Sequence, residues 1–175
     1  MLSLKAQPPA FSLDGTLAGK VRRFTLAEFK NRWVVLFFYP ADFSFVCPTE
    51  VKGFERRFDE YQSLGCDILA VSSDDIACHT EWVRELGGLR FPLLSDPGGA
   101  TSRAYGVLDP EAGRAFRATF IINPEGRLAY AVASPANVGR SIEETLRVLK
   151  ALKTGQMCPV DWKPGDPTLN PERGS

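Results

Sequence analysis

Val34-Val35-Leu36-Phe37-Phe38-Tyr39 is an unbroken apolar run closed by Pro40. A strand with one face in water alternates apolar and polar residues. A continuous run of this length reads instead as a central strand buried on both faces. Working outward from it, Val51, Phe54, Phe58, Tyr61 and Leu64 recur at helical spacing, and Gly65 reads as the C-cap of that helix. Ile68 to Ser72 is the next strand, Ile76 to Leu86 a helix and Phe91 to Leu94 a short strand, after which Asp96-Pro97-Gly98-Gly99 turns into a short helix. Phe116 to Ile122 and Leu128 to Ala133 flank Asn123-Pro124-Glu125-Gly126, the composition of a hairpin turn. Ser141 with Glu144 is a capping-box pattern; Ile142, Leu146, Leu149 and Leu152 line one face of the helix it opens, and Gly155 stops it. The order β-α-β-α-β, hairpin, helix defines an α/β fold. Its mixed central sheet has parallel strands first, an antiparallel hairpin later and helices on both faces.

The bulk numbers narrow the function. The chain has 175 residues, which suits one domain. Its 21 basic and 21 acidic residues cancel, which removes the simplest case for nucleic acid or an anionic membrane as partner. No stretch approaches the roughly 20 apolar residues that span a bilayer. Met1 to Pro9 lacks the long apolar segment of a secretory signal, so the cytoplasm is the expected compartment. The cysteines, at 47, 66, 78 and 158, are too sparse for a disulfide-stapled fold, none forms a C-x-x-C pair, and the chain has one histidine. No convincing four-ligand zinc set exists, so the cysteine chemistry is expected to be redox or nucleophilic, without metal or cofactor.

Between the apolar strand and the helix after it lies Tyr39-Pro40-Ala41-Asp42-Phe43-Ser44-Phe45-Val46-Cys47-Pro48-Thr49-Glu50. An open α/β sheet places its active site at such a strand-to-helix crossing. Pro48 suits the first turn of a helix, where its missing N–H has no intrahelical partner. Glu50 then falls where its side chain can reach back to the helix start. Cys47 is thereby expected at the N-terminus, facing unpaired N–H groups and the positive end of the dipole, a setting that favours the nucleophilic thiolate. A cysteine in a core loop is more often an inert buried thiol; Pro48 and the helix start tip the reading to a reactive one. Ser44, three residues before it, has a hydroxyl able to accept from and donate to a small polar substrate. Cys66 and Cys78 read as small buried hydrophobes. His79 follows Cys78, but neighbouring helical residues point about 100° apart and do not form a pair.

Pro40-x-x-x-Ser44-x-x-Cys47 resembles the Pro-x-x-x-Thr/Ser-x-x-Cys signature of the peroxiredoxins, and Phe45-Val46-Cys47-Pro48-Thr49-Glu50 is similar to the typical two-cysteine subfamily, of alkyl hydroperoxide reductase small subunit and thioredoxin peroxidase type. Cys158-Pro159-Val160-Asp161-Trp162-Lys163-Pro164-Gly165 resembles the segment around that subfamily's resolving cysteine. The likeness runs from about Lys5 to Leu169.

The resemblance implies a thioredoxin-like fold over residues 1–164; the tail 165–175, which carries Pro, Asp and Asn, reads from its composition as loosely held. The resemblance also implies that Cys47 attacks a hydroperoxide and becomes a sulfenic acid, and that Cys158 condenses with it to a disulfide that an external dithiol, thioredoxin or a flavoprotein disulfide reductase, reduces. By position, Arg117 matches the family's active-site arginine. Arg140 matches a second arginine that, with Glu50, orients the first, and Pro40 would shield the sulfur. A homodimer, or a ring of five dimers, is the implied assembly. Two alternatives stay open: a disulfide within one chain, and a chaperone-like assembly that binds unfolded protein. Sensitive family members carry a Gly-Gly-Leu-Gly loop and a C-terminal helix with Tyr-Phe. Here Gly87-Gly88-Leu89-Arg90 matches in part, and Pro164, Pro167 and Pro171 oppose such a helix, so resistance to overoxidation is expected.

Overall fold

The computed structural model describes residues 2–169. By internal contacts the chain divides into two compact units, Met1–Arg140 and Ser141–Ser175, so the domain expected over residues 1–164 spans both. No helix among the described residues is long and apolar enough to cross a membrane.

The first unit is built on a seven-stranded sheet. Its strands are β1 (Ser12–Leu17), β2 (Lys20–Thr25), β3 (Trp33–Phe38), β4 (Cys66–Ser72), β5 (Leu93–Ser95), β8 (Arg117–Ile122) and β9 (Leu128–Ser134), in the spatial order β2-β1-β5-β4-β3-β8-β9. β6 (Leu108–Asp109) and β7 (Arg114–Ala115) pair separately. β3, β4 and β5 run parallel, β8 pairs antiparallel with β3, and β9 antiparallel with β8. The helices are α1 (Cys47–Arg56), α2 (Phe58–Ser63), α3 (Ile76–Glu85) and α4 (Ala100–Ala104).

The apolar run behaves as a strand covered on both sides. Val34, Leu36 and Phe38 enter one core cluster with Leu69, Val71, Tyr105 and Phe120. On the other face Phe37 stacks on Phe54 of α1 at 4.4 Å, and Tyr39 lies 5.7 Å from Trp82 of α3. Burying side chains of this size contributes about 2 kcal/mol each, which fixes β3 in the sheet interior and the loop after it at the sheet's rim.

Several elements depart from the sequence expectation, the small β6–β7 pair among them. The helix expected to run unbroken to Leu64 divides at Arg57 (φ −101°, ψ 7°), whose N–H bonds to the Phe54 carbonyl at 3.1 Å in a tighter turn. Periodicity reports the apolar stripe, which Phe54 and Tyr61 keep on both sides of the break, and not the continuity of the backbone hydrogen bonds. The short strand starts at Leu93 rather than Phe91; Pro92 has no N–H to offer the ladder, although its carbonyl accepts from Ala70. The β1–β2 hairpin was not expected, because its largely exposed residues show no clean alternation.

The second unit contains α5 (Ile142–Thr154). Ser141 caps it by accepting from the Glu144 N–H at 3.1 Å, but the reciprocal half of the capping box does not form, because the Glu144 carboxylate bonds to Arg147 at 2.6 and 2.7 Å. Gly155 ends it in the left-handed conformation (φ 64°), which glycine adopts without steric penalty. The segment beyond ties back on itself. Trp162 Nε1 donates to the Asp166 carbonyl, Lys163 N–H donates to the Asp166 carboxylate, and Leu169 N–H donates to the Met157 carbonyl at 2.7 Å. The tail expected to be loose from Gly165 is therefore hydrogen-bonded as far as Leu169; residues 170–175, Pro171 among them, lie outside the described residues.

Candidate active site

Pro40 lies two residues beyond the end of β3 and is buried; the loop that follows delivers Cys47 as the first residue of α1, with Pro48 second. Cys47 is fully buried. The helix start differs from the expectation in one physical respect. The Cys47 N–H donates to Ser44 Oγ at 3.3 Å, Pro48 has no N–H, and the Thr49 N–H donates to the Val46 carbonyl at 3.0 Å. The first N–H groups of the helix are thus occupied or missing rather than aimed at the sulfur.

The charge at the sulfur comes from Arg117 instead. Its Nη1 donates to Cys47 Sγ at 3.1 Å and also to Glu50 Oε1, while its Nε donates to the Ala136 carbonyl at 2.7 Å. Sheet register explains how residues 70 apart meet. Phe38, the last residue of β3, pairs with Ala118 of β8, so Arg117, one residue earlier and the first of β8, stands beside the start of the Cys47 loop.

Glu50 does not reach back to cap α1, as its sequence position suggested. Both carboxylate oxygens go to arginines, Oε1 to Arg117 and Oε2 to Arg140, whose Nε lies at 2.5 Å and backbone N–H at 3.0 Å. Arg140 is held further by the carbonyls of Ala118 (2.9 Å) and Phe38 and by Thr119 Oγ1 (3.0 Å), with its guanidinium 4.9 Å from the Phe37 ring. The side chains of Arg117, Glu50 and Arg140 are no more than 3% exposed. Burial pulls the Arg140 guanidinium below its usual range and Glu50 opposes that shift, so the anion between the two cations is what keeps both charges inside.

A cation held by a buried carboxylate against a sulfur can do two things. It places a charged hydrogen-bond donor on the sulfur, and it offers N–H groups to an oxygen on which charge develops as a bond to it breaks. Ser44 adds a hydroxyl whose oxygen already accepts from Cys47 and whose proton has no acceptor among the described residues.

A second buried network secures the loop and was not anticipated as part of the site. Asp42 accepts from the Tyr39 hydroxyl at 2.7 Å and contacts His79 Nδ1 at 2.6 Å; His79 Nε2 faces the Leu94 carbonyl at 3.0 Å, and the Asp42 N–H donates to Asp74 at 2.8 Å. The usable signal was that the chain's single histidine lies on the helix after β4 while an aspartate sits in the reactive loop. Cys66 is buried at the start of β4, as expected. Cys78 is not the buried hydrophobe expected of it. It is half-buried with its thiol near Asp42 and Asp74, and burial together with those carboxylates pushes the thiol up to about 12. Asp42, Asp74 and Cys78 bring polar atoms within 4.8 Å of one another, but both carboxylates are already committed to hydrogen bonds.

In the second unit Cys158 is half-buried at the C-terminal end of α5, with Sγ 3.5 Å from Thr154 Oγ1, 3.8 Å from the Ala151 carbonyl and 3.9 Å from that of Gln156. All four cysteines are free thiols.

A helix-start cysteine under a buried Arg–Glu–Arg cluster, at the rim of a mixed sheet, defines a thiol-based enzyme on a thioredoxin-like fold. Comparison with known proteins gives its family. The model of the AhpC/TSA family matches residues 4–131. A putative peroxiredoxin, YkuU of Bacillus subtilis (strain 168), is 47% identical over 172 residues, covering 93% of this chain and 96% of that protein. A thioredoxin peroxidase of Echinococcus granulosus is 40% identical over 176 residues, covering 95% and 91%. Among solved structures, Enterococcus faecalis AhpC superposes with a TM-score of 0.86 at 34% identity, covering 91% of this chain and all of that one. Reduced Plasmodium vivax 2-Cys peroxiredoxin gives a TM-score of 0.90 at 28% identity, covering 96% and 93%. The chain belongs to the AhpC/TSA family and is a peroxiredoxin, a thiol-dependent peroxidase acting on hydroperoxides at the expense of a thiol reductant.

Proposed function

We propose that Cys47 is the peroxidatic nucleophile and Cys158 the resolving thiol of a two-cysteine cycle. The observation that carries the first assignment is the Arg117 Nη1 to Cys47 Sγ contact at 3.1 Å, locked by Glu50 and Arg140. The Cys47 thiolate attacks the terminal oxygen of ROOH; the S–O bond forms, the O–O bond breaks, and RO⁻ leaves as ROH on taking a proton. Arg117 and the Ser44 hydroxyl meet the departing charge, Glu50 and Arg140 hold Arg117 in place, and Pro40 walls the sulfur from water. The Cys158 sulfur then attacks the Cys47 sulfenic acid, forming S–S and releasing water with the thiol proton.

The disulfide is proposed to join two chains of a homodimer, the smallest unit of any ring of five dimers; in a symmetric dimer two such bridges cross one interface. A dithiol protein returns the electrons. The thioredoxin peroxidase among the relatives favours thioredoxin over a flavoprotein disulfide reductase, and the cytoplasm is the proposed compartment.

One equivalent of hydrogen peroxide should give a covalent dimer on a non-reducing gel that is lost in Cys47→Ser and in Cys158→Ser. A monomer band with an internal bridge on peptide mapping would refute the interchain reading. No helix follows Trp162 within the described residues, so local opening of α1 is expected to outpace further oxidation. Mass spectrometry during turnover should find little sulfinic acid at Cys47 at modest peroxide excess; accumulation with reductant present would count against that expectation.

A further inference from the structure

The last turn of α5 carries a hydrogen-bond arrangement that the peroxide chemistry at Cys47 does not use. A threonine hydroxyl has one proton to give and two lone pairs to receive. The Thr154 proton goes to the Ala151 carbonyl at 2.7 Å, and one lone pair takes the Gln156 N–H at 3.1 Å. The other faces Cys158 Sγ at 3.5 Å. With its own proton committed, Thr154 can meet the sulfur only by accepting from S–H. Among the described residues, the other polar atoms near the sulfur, the carbonyls of Ala151 at 3.8 Å and Gln156 at 3.9 Å, are acceptors as well. Only three residues, Gly155, Gln156 and Met157, separate Thr154 from Cys158, and the left-handed Gly155 folds them back over the helix end.

We propose that Thr154 is a positioning residue for the resolving step: its hydroxyl seats the reduced Cys158 thiol at the C-terminus of α5, and this contact breaks in every catalytic cycle. The proposal rests on the reading of Cys158 as the resolving cysteine. When Cys47–SOH and Cys158–SH become Cys47–S–S–Cys158 and water, the hydrogen that Thr154 accepts leaves with the water. The bond exists only in the reduced protein and stabilises it against the disulfide. Removing the hydroxyl should shift the equilibrium toward disulfide by about threefold, the size of one modest hydrogen bond.

The test compares wild type, Thr154→Val and Thr154→Ser at one protein concentration in glutathione redox buffers, with the Cys47–Cys158 disulfide quantified by mass spectrometry. Stopped-flow mixing with hydrogen peroxide separates Cys47 oxidation from disulfide formation. We expect T154V to favour the disulfide about threefold and to form it faster, with the rate of Cys47 oxidation unchanged and T154S at wild-type values. Equal equilibria for T154V and wild type, or a T154S shift as large as that of T154V, would overturn the role of the hydroxyl. If the wild type forms no Cys47–Cys158 disulfide, the resolving assignment itself fails. Iodoacetamide labelling of Cys158 in reduced protein still decides the seat: severalfold faster in T154V supports it, and equal rates refute it.

Discussion

Cys47 and Cys158 occupy opposite ends of helices, and the surroundings differ as the ends do. Cys47 opens α1, fully buried, with a guanidinium 3.1 Å from its sulfur. Cys158 lies beyond the end of α5, half-buried, with oxygen atoms of Thr154, Ala151 and Gln156 within 3.9 Å. A helix start carries partial positive charge and a helix end partial negative charge. At Cys47 the dipole is the lesser contributor, because the first N–H groups are taken up by Ser44 and Val46 or absent at Pro48. The buried ion cluster supplies the charge. The contrast teaches that helix position marks where such a sulfur can sit, while a non-local side chain supplies the cation beside it.

The largest expected effect comes from removing that side chain. Arg117→Met, similar in length and uncharged, should lower the second-order rate with hydrogen peroxide by about 10²–10³, the usual loss for a donor to a developing oxyanion. Circular dichroism should report an unchanged fold, and alkylation of Cys158 should be unaffected. A rate within threefold of wild type would mean that the helix dipole suffices and that the contrast with Cys158 lies elsewhere.

Glu50→Gln tests the support rather than the donor. It leaves two buried guanidinium groups without their counter-charge, which should destabilise the fold by about 3 kcal/mol in denaturant unfolding. The peroxide rate should fall by a smaller factor than in Arg117→Met, because Arg117 keeps its bond to the Ala136 carbonyl. Unchanged stability would show that the cluster does not need its anion.

Much of this was readable from the chain alone, and the parts that were not have a common cause. Strand β3, helices α3 and α5, the β8–β9 hairpin and the place of Cys47 follow from local periodicity, caps and turns. The break at Arg57 does not, because an apolar stripe continues across it. Nothing in the residues around Arg117 or Arg140 marks either as special. Arg117 reaches Cys47 only through the pairing of β3 with β8, and Arg140 reaches Glu50 across 90 residues. Resemblance to a family pointed to both, whereas local reasoning assigned Glu50 to a cap it does not make. The Asp42–His79 contact, 37 residues apart, was hidden for the same reason. The half-buried state of Cys78 is not legible from its helix, because the carboxylates of Asp42 and Asp74 that face it come from other segments. Local signals define elements; sites assembled from several elements depend on register and packing.

The most direct test is to trap the first product where the second cysteine cannot consume it. Cys158→Ser protein is treated with one equivalent of hydrogen peroxide in the presence of dimedone, and the adduct is located by peptide mass spectrometry. We expect one adduct per chain, on Cys47, with Cys66 and Cys78 unmodified. Adduct on Cys66 or Cys78, or peroxide consumed with Cys47 unmodified, would contradict the assignment of Cys47 as the nucleophile.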